Sequence, residues 1–151
     1  MALEIRKAIM EDMERLILLA AMMTSESPVF VRHPFSVGKA RDLITALIPT
    51  GGLIVACQRG EVIGFFAGII SEHWLSFDTY ATDIGIYVLP EHRGSTAFPR
   101  LIHAFESWAI EKGAQELHLG VSTGIHPEQT VRMFERLKYT MSSYGLVKTE
   151  I

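Results

Sequence analysis

Ile84-Gly85-Ile86-Tyr87-Val88-Leu89-Pro90-Glu91-His92-Arg93-Gly94-Ser95-Thr96-Ala97-Phe98 holds a β-rich run, a proline stop, a tight loop and the first turn of a helix in one short span. Pro90 closes the strand because its nitrogen has no hydrogen to give to a neighbour. Gly94 leads into an amphipathic helix whose inward face is Phe98, Leu101, Ile102 and Phe105, extended by Trp108 and ended by Gly113. A strand-loop-helix junction aims unpaired backbone N–H groups and the positive end of the helix dipole at whatever stands in front of it. Arg93 adds a permanent charge, and Gly94 tolerates a positive φ or a close backbone approach. An anion such as a pyrophosphate suits that place.

Outward from this junction the chain alternates short β and α patterns. Leu3, Ile5 and their polar neighbours read as a half-buried first strand. Met13, Leu16, Ile17 and Ala20 mark one face of a first helix, with Glu11 and Asp12 at its positive end, ending between residues 24 and 28. Ser36 caps a second helix with Ala40, Leu43, Ile44 and Leu47 inward, stopped by Pro49 and the Gly51-Gly52 pair. Residues 53–58 and 62–70 form a hairpin through Arg59-Gly60-Glu61, and residues 80–89 continue the meander. Beyond the central helix, Leu117, Leu119 and Val121 alternate in a strand over 116–121. Pro127 opens a last helix with Thr130, Met133, Phe134 and Leu137 inward, and residues 139–151 read as one or two terminal strands.

The composition fits such a mixed α/β fold. The 151 residues are 48% hydrophobic and 21% charged, enough for a core without metal or disulfide staples. No repeat or linker divides them, so a single domain over residues 1–151 is expected. With 14 Lys and Arg against 17 Asp and Glu, the net charge of -3 supplies no field for phosphate backbones or anionic lipid; nucleic-acid and membrane binding are not expected. The longest apolar runs, residues 53–57 and 64–70, are too short for a bilayer. Cys57 has no second cysteine to pair with, which points to a reducing compartment, by default the cytoplasm. None of the six histidines pairs with another His or Cys at zinc spacing, so no metal is expected.

Val88-Leu89-Pro90-Glu91-His92-Arg93-Gly94 resembles the acetyl-CoA loop of the GNAT (Gcn5-related N-acetyltransferase) superfamily, which runs V-x-P-x-x-R-G-x-G-x-G/A. Thr96 and Phe98 stand where that pattern has its later glycines. Thr130-Val131-Arg132-Met133-Phe134-Glu135-Arg136-Leu137-Lys138-Tyr139 resembles the family's late A-x-x-L-Y-E-K-L-G-F segment, with Phe134 at the position of the tyrosine that protonates the leaving thiolate in many relatives. The resemblance covers nearly the whole chain. It implies a mostly antiparallel sheet of six to seven strands, splayed between the fourth and fifth and flanked by about four helices. It also implies acetyl-CoA as co-substrate, an amine acceptor that is a small molecule or a peptide, and pairing into a homodimer as a common state. By this resemblance, the cofactor-binding residues are Tyr87, Val88, Arg93, Gly94, Ser95, Thr96, Ala97 and Phe98.

Acetyl transfer requires a neutral amine. For an alkylamine of pKa about 10.4 the lost proton costs roughly 4 kcal/mol at neutrality, whereas a thiol of pKa about 8.5 costs roughly 2 kcal/mol to release as thiolate. A base therefore matters more than an acid. Asp83, read as sharing side-chain parity with Gly85 and Tyr87, is the first candidate base; Glu72 and His73 are alternatives. Tyr139, Tyr144, Ser122 or water would protonate sulfur. Trp74, Phe77, Tyr80, His33 and Phe35 would line an acceptor cleft or merely pack its rim. The competing reading is a GNAT-like module that binds CoA or a protein partner without turnover, motivated by Thr96, Phe98 and Phe134.

Overall fold

The computed structural model describes residues 2–151. Five strands, β1 (Leu3–Lys7), β2 (Leu53–Gln58), β3 (Glu61–Glu72), β4 (Thr79–Val88) and β5 (Glu116–His118), lie side by side in sequence order. The first four pair antiparallel and β5 pairs parallel with β4. Four helices, α1 (Met13–Glu26), α2 (Val37–Leu47), α3 (Ala97–Glu111) and α4 (Pro127–Arg136), complete the mixed α/β architecture. Ser36 caps α2 as its sequence position suggests, its Oγ accepting from the Lys39 amide at 3.1 Å. Gly113, at φ +78°, follows the end of α3 in the left-handed region.

The sheet centre holds the core. Phe66 and Phe105 are wholly buried and stack with ring centres 4.3 Å apart, fastening α3 to β3. On the opposite face Leu16 and Leu19 of α1 and Leu47 of α2 are buried. Ile44 and Leu47 of α2 are buried and Ala40 packs against the core, whereas Leu43, expected inward, is half exposed.

Two departures from the sequence reading matter for the site. The strand count is five rather than six to seven: residues 139–151 form no strand, and the strand expected over 116–121 stops at His118. The cause is pairing, since alternation only proposes a strand and a partner's backbone has to complete it. The second departure is a β-bulge. Ala67 pairs with Gly85 but Gly68 pairs with Asp83, so Ile84 is the extra residue. The insertion switches the face. Gly85 looks toward Met23 of α1, whereas Gly68, the partner of Asp83, looks toward the Phe105 ring of α3. Asp83 therefore does not share a face with Gly85 and Tyr87.

Candidate functional site

β4 and β5 run together only through Tyr80–Glu116, Ala81–Leu117 and Thr82–His118. Past Thr82 they part. The opening is a cavity of about 180 Å³, walled by Asp83, Ile86, Tyr87 and Val88 on one side and by Gly120, Val121, Ser122 and Thr123 on the other. Phe98 of α3 and Met133 and Phe134 of α4 close its apolar flank, and Arg93 and Gly94 stand at its mouth. Splaying deprives the last part of β4 of an outer partner, so its peptide groups there are free to meet a ligand.

Asp83 sits in the fork. Its Oδ1 accepts from the Gly120 amide at 3.0 Å, and burial raises the carboxyl from its ordinary range to about 6 despite that bond. A carboxylate with this affinity for protons, facing a cavity, has the character of a general base near neutrality. Glu72 and His73 lie outside the cavity lining, and the His73 Nδ1 is occupied by the Leu75 amide at 3.1 Å.

The second proposed catalytic residue, Tyr139, is not among the residues that line the cavity, although its hydroxyl feels the charge of Asp83. Its hydroxyl donates to Glu106 of α3 at 3.0 Å, and its ring packs against that of Phe134. Burial, the Glu106 carboxylate and the charge of Asp83 all push its pKa upward. Tyr144 is almost fully exposed. Of the three side chains considered as proton donors to sulfur, Ser122 lines the cavity.

At the mouth, Gly94 adopts φ +83°, the left-handed turn that launches α3. Ser95 folds its hydroxyl onto the His92 carbonyl at 2.6 Å and accepts from the Ala97 amide at 3.2 Å. Thr96 precedes α3 without a side-chain cap, and Ala97 is fully buried. Among the described residues the amides of Gly94, Thr96 and Phe98 have no hydrogen-bond partner. Free amides at the start of a helix can receive an anion. Phe98 does not plug this mouth; its ring lies nearly parallel to Phe134, with centres 6.1 Å apart, as part of the cavity wall.

Arg93 is placed differently from a free anion receptor. Its Nε donates to the Val88 carbonyl at 2.9 Å, its two terminal nitrogens hold both oxygens of Glu26, and its guanidinium lies 5.4 Å from the centre of the Tyr87 ring. The Tyr87 hydroxyl donates to Glu26 at 2.9 Å. Arg93 lowers the Glu26 pKa, and burial assisted by Glu26 raises Tyr87 to about 12. Val88 thus offers a carbonyl that Arg93 already uses. The cluster pins the end of α1 to the end of β4 and so sets the loop that carries the free amides.

Sequence reasoning missed Glu26, since a glutamate near a helix end looks like a solvated one. It also missed Ser27, a wholly buried residue whose Oγ donates to the Thr123 carbonyl and accepts from Phe30 N at 2.9 Å, tying α1 to the far wall of the cavity. Ser27 follows Thr24, Ser25 and Glu26, so nothing in its sequence neighbourhood marks it as the buried one. His126, at φ +44° ahead of α4, lines the same cavity and is another residue that composition alone did not single out.

The aromatic residues considered for an acceptor cleft do not line this cavity. Trp74 and Phe77 project from the β3–β4 turn, and Tyr80 stacks on His118 with centres 4.3 Å apart. A smaller cavity between α1, α2 and the sheet is lined by Leu16, Met23, Phe65, Ile84 and other apolar groups and holds no reactive side chain. Among the described residues no three His, Cys, Asp or Glu side chains gather as a metal site, and no helix is long and apolar enough to cross a membrane.

The acetyltransferase (GNAT) family model matches residues 18–139. Solved structures share the fold over nearly their full length at low identity. A transcriptional regulator from Bacillus halodurans C-125 is 19% identical with a TM-score of 0.78, covering 98% of this chain and 99% of its own. AAC(6')-Iy, solved with the bisubstrate analog CoA-S-monomethyl-acetylneamine, is 18% identical with a TM-score of 0.79, covering 100% and 99%. A ribosomal-protein-alanine N-acetyltransferase from Brucella melitensis biovar Abortus 2308 is 19% identical with a TM-score of 0.71, covering 98% and 100%. Among curated proteins no sequence matches.

Proposed function

The chain belongs to the acetyltransferase (GNAT) family, and from that premise we propose that it moves an acetyl group from acetyl-CoA to a primary amine by direct attack, as one domain working in the cytoplasm. The observation that carries this reading is the coincidence, in one cavity, of a proton-avid Asp83 at the fork of β4 and β5 with Gly94 and Phe98, whose amides are unpaired, at its mouth. These are the two ends such a reaction needs: an anchor for a diphosphate and a base for an amine.

In this reading the amides at the start of α3 hold the diphosphate, and the thioester arm enters between β4 and the 120–123 segment. The amine nitrogen attacks the thioester carbonyl, the C–S bond breaks, and the amine's proton passes to Asp83, directly or through one water. Peptide groups on the open side of β4 stabilise the oxyanion. Ser122 or water returns a proton to sulfur, a modest demand for a thiol of pKa about 8.5. Phe98 and Phe134 supply a dry wall, and Arg93 serves as the strut that holds the loop. The acceptor is a small-molecule or peptide amine; AAC(6')-Iy, similar in fold, is an aminoglycoside N-acetyltransferase.

Calorimetric titration with acetyl-CoA, followed by thiol release with a panel of amines, tests the proposal. Binding with release supports it, and no binding at millimolar acetyl-CoA overturns it. The engagement of Arg93 by Glu26 favours the second reading, a module that binds CoA or a protein partner without turnover. Binding with no release across the amine panel would select that one.

A further inference from the structure

The bulge at Ile84 puts adjacent residues of β4 to different uses: Asp83 lines the forked cavity, whereas Ile84 and Gly85 line the smaller one, of about 100 Å³. That second cavity is a trough on the α1 side of the sheet. Its floor runs from Leu53 of β2 past Phe65 of β3 to Gly85 of β4, and its roof is Ala20 and Met23 of α1 with Leu43 of α2. It therefore ends one strand spacing, roughly 5 Å, from the fork where β4 leaves β5. Among the described residues its lining carries no charged side chain. Leu43 and Ile84, 45% and 37% exposed, stand at a rim open to water.

Counter-charge is scarce on both sides of this strand. Among the described residues Asp83 is the one carboxylate that lines the forked cavity. Glu26, near the mouth, has both oxygens on Arg93 and a further bond from the Tyr87 hydroxyl. An acceptor with a second ammonium would bring it into a dry site that has no counter-ion to spare, which is strongly unfavourable. An apolar group is the opposite case. Burying it is favourable, and a dry cavity of ~150 Å³ lined by Leu, Ile and Phe takes up benzene. The trough, somewhat smaller, suits a short alkyl chain or a small ring.

We infer, on the acetyl-transfer reading, that the acceptor is a singly charged primary amine with an apolar body, whose alkyl or aryl group lies in the trough between α1, α2 and the sheet while its nitrogen crosses the open edge of β4 to the thioester beside Asp83. The N–C bond forms as the C–S bond breaks. Of the two protons that the ammonium sheds, one goes to Asp83 and the other balances the leaving thiolate.

Thiol release from acetyl-CoA with straight alkylamines from ethylamine to octylamine, with phenethylamine, and with spermidine as a polycation is the test. The kcat/KM is expected to rise about fourfold with each methylene added, to level off once the trough is full, and to be lowest for spermidine. Ala20→Leu, which shortens the trough, is expected to move the optimum to shorter amines, and Leu43→Ala, which lengthens it, to longer ones; damage to the fold would lower all amines alike. The Met23 methyl resonance gives a readout without turnover, expected to shift on titration with hexylamine and not with spermidine. A preference for spermidine, a flat response to chain length, an optimum that neither variant moves, or a Met23 methyl indifferent to hexylamine overturns the assignment. Hexylamine that shifts Met23 without thiol release by any amine supports the trough's occupant and counts against the transfer reading instead.

Discussion

Burial raises the Asp83 carboxyl to about 6, so at neutrality most of the protein carries the carboxylate that a base requires. The rate of acetyl transfer is therefore expected to rise with pH through about 6 and to lose that limb in Asp83→Asn. The variant is expected to transfer acetyl about 10²- to 10⁴-fold more slowly while binding acetyl-CoA nearly as well; a pH profile beside a titration separates the two effects. Arg93→Glu tests the mouth. It sets a second carboxylate against Glu26 and beside the free amides, and is expected to weaken CoA binding by about tenfold or more, most strongly at low salt. Unchanged affinity would mean that the diphosphate lies elsewhere. Cys57 offers a check on the core: its thiol is buried and pushed upward by desolvation, so a thiol reagent should find it slow in the native protein and fast on unfolding.

Between elements, the turn before β2 packs closely against β3 and α3. The Gly68 amide donates to the Gly52 carbonyl at 2.8 Å, and Trp108 Nε1 donates to the Thr50 carbonyl at 3.0 Å. A side chain at Gly52 would collide with the Gly68 carbonyl oxygen and come within 2.9 Å of the Trp108 ring. Backbone cannot give as a side-chain tip can. Gly52→Ala is expected to cost about 2 kcal/mol, lowering Tm by roughly 4–8 °C, and a melting curve checks it. The helices and the β2–β3–β4 meander were legible in the sequence because periodicity and punctuation report what one element does by itself: Ser36 caps, Gly113 stops, and Phe105 and Leu101 face inward. The bulge at Ile84 was not legible, because it is a property of register between two strands. That single residue decides which face Asp83 takes, and hence why Asp83 does not share the side of Gly85 and Tyr87 that simple alternation gave it. The bond from the Tyr139 hydroxyl to Glu106 was not legible for a related reason, as the two residues are distant in sequence.

At the scale of the molecule, two sets of carboxylates give stability opposite dependences on pH. Arg6 holds Asp12 with hydrogen bonds of 2.8 and 3.0 Å and lowers its pKa, and Arg93 does the same for Glu26. For a group whose folded pKa is depressed, the stabilisation is present above its unfolded pKa and is lost as pH falls through the folded value. Asp83 works the other way. Between its ordinary value of 3.8 and the folded value of about 6, the folded chain keeps a proton that the unfolded chain releases, so stability falls as pH rises across that window. A shift of about two units corresponds to up to about 3 kcal/mol. The two trends meet in the mildly acidic range. Wild-type stability in denaturant is therefore expected to peak near pH 4–5 and decline by neutrality, with Asp83→Asn holding its peak to pH 7 and melting several degrees higher there. The same substitution that removes the proposed base should stabilise the fold, as expected if a buried charge is kept for chemistry. A wild-type curve that is flat from pH 4 to 7, or a variant less stable than wild type at pH 7, would mean that Asp83 is solvated rather than enclosed at the fork of the sheet.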